Sequence, residues 1–171
     1  MTSEATLSGQ DPVPSQNKVA GQGCGARAER ALLLAPSRGL GGGIERYLQT
    51  VESAFGDARV ASRRVDLSRP GLAGHRVLLT EATSALASIA GPARLVVGHR
   101  SLLPVAAVLA RTHRVDGISV VCHGSDVWKS RRTLRSGLES WLMSRHDVRL
   151  VAVSSFTAGA LLPHGDGKSV V

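Results

Sequence analysis

From Arg30 onward, short aliphatic runs alternate with segments of helical periodicity, and the runs end in glycine, histidine or serine. No other feature constrains the fold as strongly. A strand that feeds a helix, and then another strand, closes most economically onto a parallel sheet. Ala31-Leu32-Leu33-Leu34-Ala35 predicts a buried strand, stopped by Pro36 and a glycine-dense turn from Gly39 to Gly43. Ile44, Tyr47, Leu48, Val51 and Phe55 then form one apolar stripe of an amphipathic helix. Further strands are predicted over Arg59–Leu67, Leu95–Val97, Gly117–Cys122 and Leu150–Val153. Between them lie helical segments over Glu81–Ala90, after Ser101, and from about Arg131 to Arg145. The last of these places Leu134, Leu138, Trp141 and Leu142 on one face. Ser101 can cap the helix that begins near Pro104, and Phe156–Leu162 reads as a short helix closed by Pro163. Lys168–Val171 resembles the start of another strand. The expected fold class is therefore α/β, a Rossmann-like parallel sheet flanked by helices.

Five aromatic residues in 171 leave the core to Leu, Val, Ala and Ile, as sheets covered by helices allow. Residues 1–28 are rich in Ser, Gly, Gln and Pro, lack periodicity and read as a disordered leader, so the folded unit is expected over 29–171. The leader has no continuous apolar core that would make it a signal peptide. The longest apolar run, Leu102–Ala110, is too short to cross a bilayer. Cys24 and Cys122 have no metal or redox spacing, so a reducing, cytoplasmic setting is the expectation. The net charge of +8 favours anionic partners, although the same arginine content can reflect composition alone. Lys129, Arg131, Arg132 and Arg135 form a basic stretch that suits a solvated helix face, an acceptor phosphate or an anionic membrane surface. No recognition helix or aromatic stacking motif points to nucleic acid.

Ligands of open parallel sheets bind outside the carboxyl ends of the strands. Four stretches of this chain fall there: Ser37–Gly43, Gly98–His99, His123–Asp126 and Ser154–Ser155. Gly41, Gly42 and Gly43 open directly onto a helix whose first N–H groups lack partners, an arrangement suited to a phosphate; the alternative is a tight turn serving helix–strand packing. The spacing is not GxGxxG, so the loop does not specify NAD. Glu45 sits in the first helical turn, where a carboxylate complements the helix dipole or holds a hydroxyl. His123 can exchange hydrogen bonds with a sugar hydroxyl, with Ser125 and Asp126 beside it, or the segment can be a plain turn. His99 ends the neighbouring strand. No HExxH, P-loop or GxSxG pattern occurs, and the histidines are too scattered to define a metal site.

Taken together, Gly41-Gly42-Gly43-Ile44-Glu45, Gly98-His99, His123-Gly124-Ser125-Asp126 and Ala152-Val153-Ser154-Ser155 resemble, in order, the Gly-Gly-x-Glu, strand-His, His-Gly-x-Asp and Ala-Val-Ser segments of family 4 glycosyltransferases. These are retaining enzymes of GT-B architecture. The resemblance covers about residues 30–171. It implies that the chain is the acceptor-side, amino-terminal half of a sugar-transfer enzyme, with a nucleotide-sugar donor as substrate and neither metal nor other cofactor. By the same resemblance Gly41, Gly42 and Gly43 approach the donor diphosphate and His123 is the catalytic contact. Glu45, His99, Ser125, Asp126 and Ser154 are candidates for acceptor or sugar contacts. The acceptor is a small molecule, glycan or lipid, and peripheral contact with the inner membrane face is compatible with it. The family's donor domain would follow Val171, so the resemblance implies either a truncated fragment or half of a split enzyme completed by a separate carboxy-terminal donor domain, and the chain alone is expected to be nearly inactive. A stand-alone Rossmann-like module that binds a nucleotide or other phosphorylated ligand is the competing expectation.

Overall fold

A computed structural model describes residues 30–36, 42–124, 134–145 and 147–161. Its architecture is α/β. Strands β1 (Arg30–Ala35), β2 (Ala61–Asp66), β3 (Ala93–Val97), β4 (Val115–Cys122) and β5 (Val148–Ala152) form one parallel sheet in the order β2-β1-β3-β4-β5. Helices α1 (Gly43–Asp57), α2 (Gly71–Ser88), α3 (Leu103–Thr112), α4 (Leu134–Met143) and α5 (Ser155–Leu161) alternate with the strands, and a short 3₁₀ turn, Arg100–Leu102, precedes α3. β4 and β5 begin two residues earlier than the aliphatic runs suggest. α2 begins at Gly71, ten residues ahead of the alanine-rich segment that marks it in the sequence. Its first turns carry Leu72, His75 and Arg76, which are polar or exposed and hide the helical period.

The order of the strands fixes where a ligand can sit. α1 leads outward from β1 to β2, and α2 then crosses back over β1 to β3. The strand order reverses between β1 and β3, and the crevice at the carboxyl ends of those two strands is the switch point at which open α/β sheets take ligands.

Helices cover both faces of the sheet. The larger core joins α2, α3, α4 and α5 to β1, β3, β4 and β5 through Leu78, Leu103, Leu109, Leu142 and Leu161, packed on Leu32, Leu95, Val97, Val120 and Leu150. The smaller core lies under α1, where Leu48 meets Leu33, Ala35, Val96 and Val121. Fully burying one such leucine contributes about 1.5–3 kcal/mol. Leu142 is buried together with Met143 and Glu139, whereas Leu134, Leu138 and Trp141 face outward. The buried Glu139 lies 3.5 Å from Arg100 of the 3₁₀ turn, on the inward side with Leu142 and Met143.

Candidate functional site

Beyond the last ladder pairs, the carboxyl rim continues as a run of hydrogen bonds. The N–H of Leu67 donates to Ala35 O at 2.9 Å and that of Gly98 to Leu34 O at 2.8 Å, so both neighbours of β1 hang on its final carbonyls. Val153 N–H donates to Cys122 O at 3.2 Å on the β4–β5 side. His123 follows β4 and is buried, with Nε2 3.2 Å from Gly98 O. A carbonyl can only accept, so Nε2 carries the proton, and in the neutral ring Nδ1 is the lone-pair nitrogen. The peptide of Gly98 thereby links β1, through its N–H, to the imidazole of β4, through its C=O.

α1 reaches the same rim from the other side. Gly42 is its N-cap, with extended backbone and no side-chain cap, and Gly42 O accepts from Arg46 N–H at 3.2 Å. Tyr47, one turn further, stands edge-on to His123 with ring centroids 5.8 Å apart and planes at 90°. That is the favoured geometry for an aromatic pair. The helix that starts at Gly42–Gly43 and the imidazole of His123 therefore share one edge of one sheet. Neither glycine is demanded by local packing: a Cβ on Gly42 or Gly43 would meet nothing within 4 Å, and neither adopts positive φ. Gly98 differs. A Cβ there would come within 2.8 Å of Leu48 Cδ1 and 3.1 Å of Leu34 O, so its bare α-carbon is what lets α1 settle on β3.

Glu45 is buried, and its carboxylate is engaged by the protein itself. Arg64 Nη2 lies 3.0 and 3.1 Å from its two oxygens, while Nη1 meets Glu52 Oε2 at 2.9 Å and Nε meets Asp66 Oδ1 at 2.7 Å. One guanidinium on β2 therefore holds two turns of α1 and the end of its own strand. Burial disfavours the charged guanidinium, but the hydrogen bonds to Glu52, Asp66 and Glu45 outweigh it and raise the pKa above the ordinary arginine value. Because Arg64 compensates Glu45, the carboxylate does not leave an unopposed negative charge at the α1 terminus. Nothing in the sequence singled out Arg64, which lies in the weakest strand; its only signal is a pair of arginines two residues before Asp66.

His99 takes the capping role that its neighbour Ser101 was expected to fill. Nδ1 accepts the backbone N–H of Ser101 at 3.2 Å and lies 2.8 Å from Ser101 Oγ, closing the 3₁₀ turn. Ser154 likewise caps α5: its Oγ accepts Thr157 N–H at 3.2 Å and lies 3.0 Å from Thr157 Oγ1. Both residues sit at strand ends, and each has a structural partner of its own. Gly41, Ser125 and Asp126 lie outside the described residues. Tyr47, read from the sequence only as one member of an apolar stripe, is the residue that joins the two halves of the site.

Among the described residues no group of three or more His, Cys, Asp or Glu side chains is placed to hold a metal ion. No described helix is long and apolar enough to cross a membrane. No protein-family model matches the chain, and neither a curated protein nor a solved structure matches it.

Proposed function

We propose that this domain is the acceptor-side half of a retaining, GT-B-type sugar-transfer site, in which the start of α1 meets the diphosphate of a nucleotide-sugar and His123 contacts the sugar being moved. The observation that carries the reading is the edge-on contact of Tyr47 with His123, since it brings the uncapped start of α1 and the imidazole to one rim beside the β1–β3 switch point. The open space at Gly42 and Gly43 adds support, because bare backbone allows an oxygen-rich ligand to approach closely.

In this reading the protein's contribution is electrostatic and positional. The first N–H groups of α1, with the positive end of its dipole, stabilise negative charge on a departing diphosphate. His123, whose Nε2 meets Gly98 O, stands at the rim as the contact to the sugar being moved. Glu45 is a second-line contact for a hydroxyl, since Arg64 already engages both of its oxygens. The nucleotide-selecting groups of such an enzyme belong to a donor domain, so the domain described here has weak affinity for nucleotide-sugar and does not select the base.

Titration of the ¹⁵N-labelled chain with inorganic pyrophosphate, a nucleoside diphosphate and NAD tests the reading. The expected result is weak binding of pyrophosphate and nucleoside diphosphate with shifts at Gly42, Gly43, Tyr47 and His123. Tight NAD binding would instead favour a free-standing dinucleotide module. Absence of any shift at the α1 terminus with all three ligands would remove the basis for the site.

A further inference from the structure

A pocket at the amino ends of the strands, across the sheet from the rim, has no role in the reading above. It encloses about 200 Å³ between the last turns of α2 and α3 and is lined by Leu86, Ile89, Gly91, His113 and Arg114. Backbone hydrogen bonds fix its walls. His113 closes α3, its N–H donating to Leu109 O at 2.9 Å, and Ile89 closes α2, its N–H donating to Leu86 O at 3.1 Å. Arg114 O accepts the N–H of Ala93 at 3.1 Å, which ties the end of α3 to the start of β3. Gly91 has a φ of +107°, a conformation that glycine adopts without strain. A Cβ there would come within 2.9 Å of Arg30 Nη1, so the guanidinium that opens β1 lies against this bare α-carbon.

Charge decides what such a pocket can hold. Arg30, His113 and Arg114 bring two guanidinium groups and an imidazole to one opening. Arg63 adds a third guanidinium at the end of α2, where Nη1 donates to Ser88 Oγ at 3.0 Å, a neutral partner that leaves its charge in place. The ion pairs among the described residues are made by Arg64, Arg100 and Arg145, so Arg30, Arg63 and Arg114 have no carboxylate partner among those residues. Asp116, two residues past Arg114, is exposed and belongs to none of these pairs. Cations at helix carboxyl ends also complement the helix dipole, but each terminus carries only about half a negative charge. Two termini therefore offset about one guanidinium charge of three, and the opening stays positive. Guanidinium groups match phosphate oxygens two by two, which gives geometry as well as charge. The volume lies below the ~300–1,000 Å³ of pockets for drug-sized ligands. It fits one phosphate group with a short carbon chain and is too small for a nucleotide.

We infer that this pocket is a binding site for a small phosphomonoester. Arg30, Arg114 and His113 hold the phosphate, and Leu86 and Ile89 receive the carbon part. The site lies at the opposite edge of the sheet from Gly42 and His123 and stands whether or not the sugar-transfer reading holds.

Titration of the ¹⁵N-labelled full chain with glycerol 3-phosphate, inorganic phosphate and acetate, each against sodium chloride of equal ionic strength, tests the inference. The expected result is shifts at Gly91, His113 and Arg114 with both phosphates, and at least about tenfold weaker binding of acetate. Tighter binding of the ester than of inorganic phosphate shows that Leu86 and Ile89 contribute contact; equal affinity shows that the phosphate group alone is recognised, and the carbon part of the inference is then overturned. Arg114→Met, at an exposed position, is expected to weaken phosphate binding about tenfold with unchanged circular dichroism. Arg30→Met/Arg114→Met is expected to abolish it, and Arg114→Lys to restore only part of what Arg114→Met loses. The site is overturned by shifts that sodium chloride reproduces, by acetate binding as tightly as the phosphates, or by an Arg114→Met chain that binds like the parent.

Discussion

Gly98 is the position at which the fold and the candidate site depend on the same atom. Adding one methyl group there would bring a Cβ to 2.8 Å from Leu48 Cδ1, 3.0 Å from Leu48 Cδ2 and 3.1 Å from Leu34 O, all inside the 3.4–4 Å of ordinary van der Waals contact. The carbonyl cannot retreat cheaply, because it accepts the Gly98 N–H at 2.8 Å. Leu48 is fully buried and must give way, by a change of rotamer or together with a shift of α1. Overpacking of this kind costs roughly 1–3 kcal/mol, a sizeable part of the 5–15 kcal/mol that holds a typical domain together. Leu48→Ala alone removes the obstacle but leaves a cavity, at about 2–5 kcal/mol. The double variant Gly98→Ala/Leu48→Ala lets the new methyl group occupy part of that cavity, so its cost falls below the sum of the single variants by about 1 kcal/mol. Urea denaturation of the four proteins, at constant m-value, measures the coupling. Additivity within about 0.5 kcal/mol, the behaviour of independent sites, would refute the claim that Leu48 and Gly98 set each other's position. Displacement of α1 also moves Tyr47 from His123, so the aromatic shifts of the His123 ring report the same event in Gly98→Ala.

Three further outcomes follow from the geometry. Gly43→Ala is expected to stabilise the domain by about 0.4–1 kcal/mol, since the position is helical and open, yet to weaken pyrophosphate binding several-fold; thermal melting and titration together decide it, and a variant that gains stability without losing affinity removes the glycines from the site. Arg64→Met removes the cation shared by Glu45, Glu52 and Asp66 and is expected to cost roughly 3–5 kcal/mol, much of it recovered in Glu45→Gln/Glu52→Gln/Arg64→Met. The raised Arg64 pKa means its contribution is fully present below the unfolded arginine pKa, so no loss through this group is expected in urea midpoints compared between neutral and mildly alkaline pH. Gly74→Ala places a methyl group on the Arg69 carbonyl at the start of α2, and circular dichroism is expected to show a marked fall in melting temperature, with a neutral result excluding this backbone path.

The strand–helix alternation was legible because its signals are local. Aliphatic runs of four or five residues and the stripe from Ile44 to Phe55 need no tertiary information, and they placed β1, α1, β3 and β4 within a residue or two. The start of α2 was not legible, because its first ten residues lack an apolar period and are held by context. The exposed stripe of α4 was hidden for a different reason. Periodicity reveals that Leu134, Leu138, Trp141 and Leu142 share a side of a helix, but which residues of that helix turn inward depends on tertiary contacts such as the packing of Leu142 and Met143 and the pairing of Glu139 with Arg100, far apart in sequence. The candidate site divides in the same way. That glycines and histidines gather at strand ends is a sequence pattern; that Gly98 O receives His123, and that Arg64 engages Glu45, are facts of register.

The register also explains why the rim residues cannot be treated as separate contacts. β1 and β3 are paired so that Leu34 faces Val97, which leaves Leu34 O for the next N–H, that of Gly98. β3 and β4 are paired so that Val97 faces Val120, which carries β4 three residues further, to His123, at the level where Gly98 turns its carbonyl outward. α1 closes over both because residue 98 has no side chain, and only then does Tyr47 meet the imidazole. A change at any one of Leu34, Gly98, Leu48 or His123 therefore moves the others, and couplings among them should exceed those measured between His123 and the equally near-rim but separately capped Ser154. Coupling energies of similar size for both sets would mean that the rim is an assembly of independent strand ends, with no single site for one ligand to occupy.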